Sequence, residues 1–285
     1  MKPKLSIIIL TFNSIGFVKP CLESLLSQDY KDFEVIIIDN GSTDETVEFI
    51  KNEHPSFILI ENKENLGAAR ARNQGINIAQ GEWLLTLDCD VVLGKEFLSC
   101  VMELIEKLPL GVGMIQPKIL QADKKRIYSC GVYLSWPLLR FYDIGKSRLD
   151  RGQFEARKYV FGVCSAAGFY RKHMLEVTKG DCGYFDEDFF FLFEDVDLSW
   201  RAQKNSFKAI YFPQAVCYHQ GNSSSFKKPV RQYLCWRNRG LFLKKHKFNR
   251  LRLLIIFLMY DLPRSIFIFL TNPYARNRII GKIYR

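Results

Sequence analysis

Hydrophobic residues in this chain gather into short unbroken runs that alternate with stretches of helical spacing. Residues 5–10 (LSIIIL), 33–38, 57–60 and 83–87 are apolar runs of strand length. Such runs suit parallel strands covered on both faces. Between them, residues 18–26 carry Leu22, Leu25 and Leu26 on one side, a second helix is predicted from Asp44 with Ser42 or Thr43 as cap, and a third spans 68–79 and ends at Gly81. This alternation predicts an α/β fold: a doubly wound, mainly parallel sheet flanked by helices. A helix over 95–108 and a strand over 112–116 continue it. The pattern weakens over 121–159, read as an insertion over a site, and returns at 164–170 (CSAAGFY). An aromatic run, 189–193, leads into a helix over 198–203. Strands over 207–212 and 215–218 follow, then a basic helix over 231–246 and two apolar segments, 253–259 and 266–270.

Composition narrows the picture modestly. With 285 residues, 48% hydrophobic and 25% charged, the chain is globular rather than disordered. A net charge of +11 suits nucleic acid, an anionic membrane surface or a phosphorylated substrate without choosing among them. The eight cysteines show no C-x-x-C pair or zinc spacing and are expected to be buried thiols in a reducing compartment. A strand-like run begins at Leu5 without a small-residue cleavage site, so no signal peptide is expected.

The candidate chemistry sits where strands end. Asp88 and Asp90 close the run over 83–87, and in open α/β sheets ligands bind outside the carboxyl ends of the strands. Their natural partner is a divalent cation and, through it, a diphosphate. Asn13 and the loop Asp39–Asp44, with Asn40, follow two other strands and should emerge on the same edge. Asn65, Gly67, Arg70, Arg72 and Asn73 open the third helix, where free amides and guanidinium groups could hold an anion. Glu194, Asp195 and Asp197 lie at a helix head behind Phe189–Phe193, either as dipole-complementing charge or as a general base beside an apolar wall. His219, after a strand, reads more readily as a core histidine than as a ligand.

In this order, SIIILTFNS, VIIIDNGSTDET, NLGAARARNQGI, LLTLDCD, FEDVDLSWR and YHQG resemble the inverting family 2 nucleotide-sugar glycosyltransferases of GT-A fold. The resemblance spans roughly residues 4–224, and the RN-containing helix near 233–243 is most similar to rhamnosyltransferase-like members. It implies that Thr11, Asn13 and Asp39 meet the nucleotide, and that Asp88 and Asp90 form the D-x-D that contacts ribose and holds Mg2+ or Mn2+. It further implies that Asp195 is the base with Glu194 beside it, that Trp200 and Arg201 complete that motif's helix, and that His219 assists the metal or diphosphate. The expected donor is a nucleotide-diphosphate sugar and the acceptor a lipid-linked or polysaccharide hydroxyl. A GT-A domain is expected over 1–225, its nucleotide-binding half over about 1–120 and its acceptor half over about 121–225, with a helical extension over 226–285.

Two other readings compete. A sugar-phosphate nucleotidyltransferase would show a glycine-rich basic loop near the N-terminus, which SIIILTFNS lacks. A nucleic-acid-binding protein fits the charge but not the acids at the strand ends, so no nucleic acid is expected. In the C-terminal apolar stretch, Asp261, Pro263 and Arg264 interrupt the run, so a single membrane span is not expected. Flanking lysines and arginines suit a helix lying on an anionic leaflet, placing the protein in the cytoplasm at the inner face of the membrane. A hairpin packed on the domain or in a homodimer is the other expectation.

Overall fold

A computed structural model describes residues 2–221 and 227–283; the expected boundary at 225/226 lies outside them. The first half alternates as β1 (Leu5–Thr11), α1 (Ile15–Leu26), β2 (Phe33–Asp39), α2 (Thr46–Glu53), β3 (Ile58–Glu61), α3 (Ala68–Ile78) and β4 (Trp83–Asp88). Then follow β5 (Val91–Leu93), α4 (Phe97–Ile105), β6 (Val112–Gln121), β7 (Ile127–Ser129), β8 (Val132–Ser135), β9 (Arg140–Asp143), β10 (Tyr159–Val160), β11 (Ala167–Arg171) and α5 (Lys172–Thr178). The chain closes with α6 (Glu194–Lys204), β12 (Lys208–His219), α7 (Lys228–Lys245), α8 (Arg250–Ile256), α9 (Leu262–Thr271) and α10 (Pro273–Ile283).

The main sheet runs β10-β12-β6-β11-β4-β1-β2-β3. Strands β3, β2, β1 and β4 are mutually parallel, as are β6 and β12, while β11 runs antiparallel to both of its neighbours. Alternation along β1 explains why its run is unbroken. Leu5, Ile7 and Ile9 pack with α1 and α4 on one face, and Ile8 packs with α3, α5 and α6 on the other. Both faces are dry, so both sets of positions must be apolar.

Register sets the functional edge. Thr11 pairs with Asp39 across β1 and β2, and Leu10 with Asp88 across β1 and β4, so three strands end together. The helix after β2 starts two residues later than expected, and Asp44, rather than Ser42 or Thr43, accepts hydrogen bonds from the Thr46 N–H and hydroxyl. The two strands expected over 207–218 are one strand, β12, with a register shift between Phe212 and Val216. Pro213 lies in that irregularity, where its missing N–H breaks no ladder.

The insertion is ordered. Strand β7 joins the main sheet, and β8 and β9 form a separate hairpin. All eight cysteines are free, but only Cys21, Cys89, Cys130 and Cys217 are buried and Cys182 is exposed, so the expectation of buried thiols holds for only part of the set. The C-terminal apolar stretch departs most from expectation. Residues Arg250–Thr271 form one continuous helix of 22 residues, about 33 Å long. A π-helical segment, Phe257–Asp261, joins α8 to α9 immediately before Pro263. Proline opposes the carbonyl four residues back, and a wider turn absorbs that conflict without breaking the helix. By length and composition the helix is sufficient to cross a membrane.

Candidate active site

The strand ends open into a cavity of about 440 Å³. Its floor is Thr11 from β1, Asn40 after β2, and Asp88 at the end of β4 with Cys89 and Asp90 just beyond it. Asn65, Gly67 and Arg72 form one side, Phe190 to Asp195 another, and Tyr128, Asp143 and Lys146 from the insertion a third. His219, at the end of β12, and Arg231, in α7, complete it. The insertion therefore covers the site.

Asp88, Asp90 and His219 present ligand atoms that all lie within 4.8 Å of one another. His219 Nε2 is 3.6 Å from Asp90 Oδ1, and the imidazole stacks on Tyr128 with ring centroids 4.0 Å apart. Its Nδ1 is buried and has no hydrogen-bond partner among the described residues. Two carboxylates and an imidazole form a donor set that fits a divalent cation such as Mg2+ or Mn2+. His219 is thus both packed as a core residue and placed beside the acids. A second group, Cys182, Asp186 and Asp188, is largely exposed, and Lys245 pairs with both of its carboxylates.

Arg72 is the hinge of the electrostatics. Its Nη1 is 2.7 Å from Glu194 Oε1 and its Nη2 is 2.9 Å from Asp88 Oδ1, with Arg72 and Glu194 both buried. One guanidinium therefore ties the metal-side strand end to the head of α6. Arg72 lies two residues beyond Arg70, which is exposed, stands 3.8 Å from Glu187, and is not part of the cavity wall. Both arginines sit in the same motif. What distinguishes them is helical phase, since Arg72 shares the inward side of α3 with Ala68, Ala69 and Ile76.

Asp195 is half-buried and faces the cavity. Its Oδ2 accepts from the Ser165 N–H at 3.3 Å and its Oδ1 from its own helix at the Val196 N–H. Burial, followed by the nearby charges of Glu194 and Asp143, raises its carboxyl to about 7 against the opposing pull of Arg72. A carboxylate poised there is suited to accepting a proton. Asp197 faces elsewhere, bonded to Arg201 at 2.8 Å and to His246 at 2.7 Å. Trp200 packs among Phe161, Phe242 and Phe248, and Arg201 also holds the Thr178 and Tyr184 carbonyls. These last two fix the helix rather than line the cavity.

Several expected contacts are differently employed. The Asp39 carboxylate accepts from the Thr11 and Ser42 hydroxyls and the Gly41 and Ser42 N–H groups, so its capacity is spent within the loop. Asn13, with φ of 48°, turns its side chain to the Thr43 N–H. Asn73 is buried and braces Phe185 and Glu187. Among the described residues, none of these three belongs to the cavity wall. The start of α3 does not offer an open anion site either, because the Ala68 N–H donates to the Phe190 carbonyl at 2.6 Å. Asn40 and Asn65 bond to each other beside Gly67. Gly67 has φ of +85°, and a Cβ there would lie 2.6 Å from the Phe190 carbonyl, so this crossing requires glycine.

The aromatic loop is the least ordinary backbone in the site. Phe190, Leu192 and Phe193 all adopt left-handed φ, a conformation costing roughly 1–3 kcal/mol per residue. Buried Asn238 of α7 holds it, donating to the Phe189, Phe191 and Leu192 carbonyls at 3.0, 2.9 and 2.7 Å. Nothing in the spacing of α7 marks Asn238 as a contact of the site. Asp143, Lys146 and Tyr128 were missed because the insertion follows no recognisable spacing. Cys164, also in the wall, is kept as a thiol by burial and by the neighbouring Asp143 and Asp195 charges.

Comparison with known proteins accords with this architecture. The chain is similar to poly-beta-1,6-N-acetyl-D-glucosamine synthase of Staphylococcus epidermidis, with 29% identity over 218 residues, 75% of this chain and 49% of that protein. A Staphylococcus aureus protein of the same name is 27% identical over 217 residues. The chain spans about half the length of the curated relatives it matches. Among solved structures, the mannosyltransferase of Pyrobaculum calidifontis in complex with GDP-Man and Mn2+ superposes with a TM-score of 0.60 at 18% identity, covering 96% of this chain and 72% of that one. S. aureus TarS 1–349 in complex with UDP-GlcNAc gives 0.60 at 19%, covering 98% and 76%. At those identities the likeness is one of fold. The model of the family described as glycosyl transferase family 2 matches residues 6–178, more than half of the chain. With the strand-end acids and the sheet order already in place, that match is decisive: the chain belongs to glycosyl transferase family 2.

Proposed function

We propose that the protein is a metal-dependent, inverting glycosyltransferase that moves a sugar from a nucleotide diphosphate to a hydroxyl of a lipid-linked or polysaccharide acceptor. One observation carries this reading. The cavity has a cation-binding floor of Asp88, Asp90 and His219 and, on another wall, a proton acceptor in Asp195. Thr11, Asn40 and Asn65 are the polar groups nearest a nucleotide on the β1–β2 side. When bound, Mg2+ or Mn2+ would supply positive charge to the diphosphate leaving group. Asp195 takes the acceptor hydroxyl's proton as that oxygen attacks the anomeric carbon. Arg72 ties Glu194 back at 2.7 Å, which leaves Asp195 rather than Glu194 to meet the acceptor. A single displacement inverts the anomeric centre.

The division of labour follows the fold. In this reading residues 1–120 hold the nucleotide and 121–225 supply the acceptor wall and base, with the C-terminal helices packed behind the second half. We place the reaction in the cytoplasm at the inner face of the cell membrane. The named relatives make N-acetylglucosamine the first sugar to try, and the resemblance of α7 to rhamnosyltransferase-like members makes thymidine diphosphate rhamnose the second. Product analysis with a panel of nucleotide sugars, with Mn2+ or with chelator, tests the reading. A glycosylated product formed only with metal is expected. Formation of a nucleotide sugar from a sugar phosphate would instead establish the nucleotidyltransferase reading.

A further inference from the structure

The helix Arg250–Thr271 has two unlike faces. Its inner face is pinned to α7 from Asp261 to Asn272, the residue just past its end. Asp261 pairs with Arg239 at 2.6 Å, Ser265 accepts from the Trp236 indole at 2.8 Å, and Asn272 donates to the Pro229 carbonyl at 2.8 Å. Its outer face carries no polar group: every exposed residue from Leu251 to Leu270 is apolar. Leu251, Met259 and Leu270 are 67%, 72% and 67% exposed, and Leu254, Leu258 and Phe267 are more than half exposed. A contiguous apolar surface of this length marks a docking site.

Charge identifies the occupant. Asp261 is the only acid between residues 240 and 285, and it is turned inward to Arg239. Exposed Lys244, Lys247 and Arg250 stand at one end of the apolar strip and exposed Arg276 and Arg278 at the other. A second copy packed on this strip would bring like charges together at both ends, whereas anionic lipid headgroups complement them. Crossing the bilayer is disfavoured by the inner face, because the helix would carry α7 and its arginines into hydrocarbon.

We propose that the outer face of Arg250–Thr271 docks on an anionic lipid bilayer, the helix lying in the plane of the interface. The placement has a consequence for the site. Positions 232, 236 and 239 of α7 face the surface helix, while Arg231 and Cys235 of the same α7 line the cavity. Docking thus holds the cavity one helix away from the headgroups, where a lipid-linked hydroxyl reaches it. This deepens the membrane placement in the proposed function, but it is tested without turnover.

The experiment is flotation of the full chain with phosphatidylcholine vesicles containing or lacking phosphatidylglycerol. The protein should float with anionic vesicles, and less so at high salt. The double variant Leu254→Glu/Leu258→Glu changes only exposed positions. It should lower vesicle affinity about tenfold or more while melting temperature and Mn2+-dependent nucleoside diphosphate binding stay as in the parent. Lys247→Glu/Arg276→Glu should weaken binding to anionic vesicles specifically. Three results would each overturn the proposal. One is undiminished flotation of both variants. Another is flotation that resists alkaline carbonate and ignores headgroup charge, as for a spanning helix. The last is a vesicle-free dimer that Leu254→Glu/Leu258→Glu turns into a monomer. Loss of nucleotide binding in the parent protein would count against the transfer reaction and leave the docking result standing.

Discussion

Arg72 Nη1 stands 2.7 Å from Glu194 Oε1 although 122 positions separate the two residues, and both are buried. The same guanidinium reaches Asp88, so the ion pair joins the two halves of the site. Removing one member of a buried pair leaves the other charge uncompensated, at a cost of about 3–5 kcal/mol. Arg72→Met should therefore lower the melting temperature sharply. It should also move the acid limb of the rate profile upward, because Arg72 is the group that holds the Asp195 carboxyl down. A melting curve together with a pH–rate profile checks both effects.

Asp195→Asn keeps the size of the side chain and removes its capacity to accept a proton. Donor affinity should remain near normal while turnover falls about 10²-fold or more. In the parent protein the carboxyl is raised to about 7 by burial, Glu194 and Asp143. The base works ionised, so the rate should rise with pH up to that region and then level, and fall as acid protonates Asp195. In Asp195→Asn that limb should vanish.

Asp90→Ala should abolish the metal-dependent part of nucleoside diphosphate affinity, since the cluster then keeps only Asp88 and His219. Calorimetry with and without Mn2+ measures it. Unchanged metal-dependent affinity in a folded variant would remove Asp90 from the metal site.

Asp197 has a different task. Burial favours its neutral form, but the hydrogen bond from His246 and the charge of Arg201 outweigh that and lower its carboxyl below the ordinary range. Its contribution to stability is therefore complete above the unfolded carboxylate value and is lost as pH falls through the lowered folded one. Asp197→Asn should cost about 3 kcal/mol and flatten that acid dependence, with little change in the pH dependence of turnover. If Asp197→Asn is folded and inactive while Asp195→Asn turns over normally, the two roles are exchanged.

What the sequence disclosed and withheld follows from the range of the interactions. The runs at Leu5–Thr11 and Trp83–Asp88 need only a period and a length to be recognised, and strand-end placement then brings Asp88 and Asp90 to one edge. Asp195 and His219 are placed by motif alone, and the fold sets both in the cavity wall. Helical phase turns Arg72 inward and Arg70 outward, but the partner that gives Arg72 its role, Glu194, lies 122 positions away and leaves no mark in the motif. Asp39 and Asn13 carry the right chemistry for a ligand but spend it on their own loops, a competition that composition cannot rank. The continuity of Arg250–Thr271 was hidden by Pro263, since a preceding π turn leaves no mark in hydrophobic spacing.

Asn238 has two N–H bonds and three carbonyls within reach. Aspartate has no hydrogen to give in that position, and glutamine would overshoot it. The shape of the loop before Asp195 is therefore written partly in α7, outside the strand–helix series that defines the fold. Cutting the chain at 225 would strand the Phe189, Phe191 and Leu192 carbonyls and let three left-handed residues relax. The C-terminal helices are thus no detachable appendage: a lineage could exchange the surface they present, but could not shed them and keep the same reaction chamber.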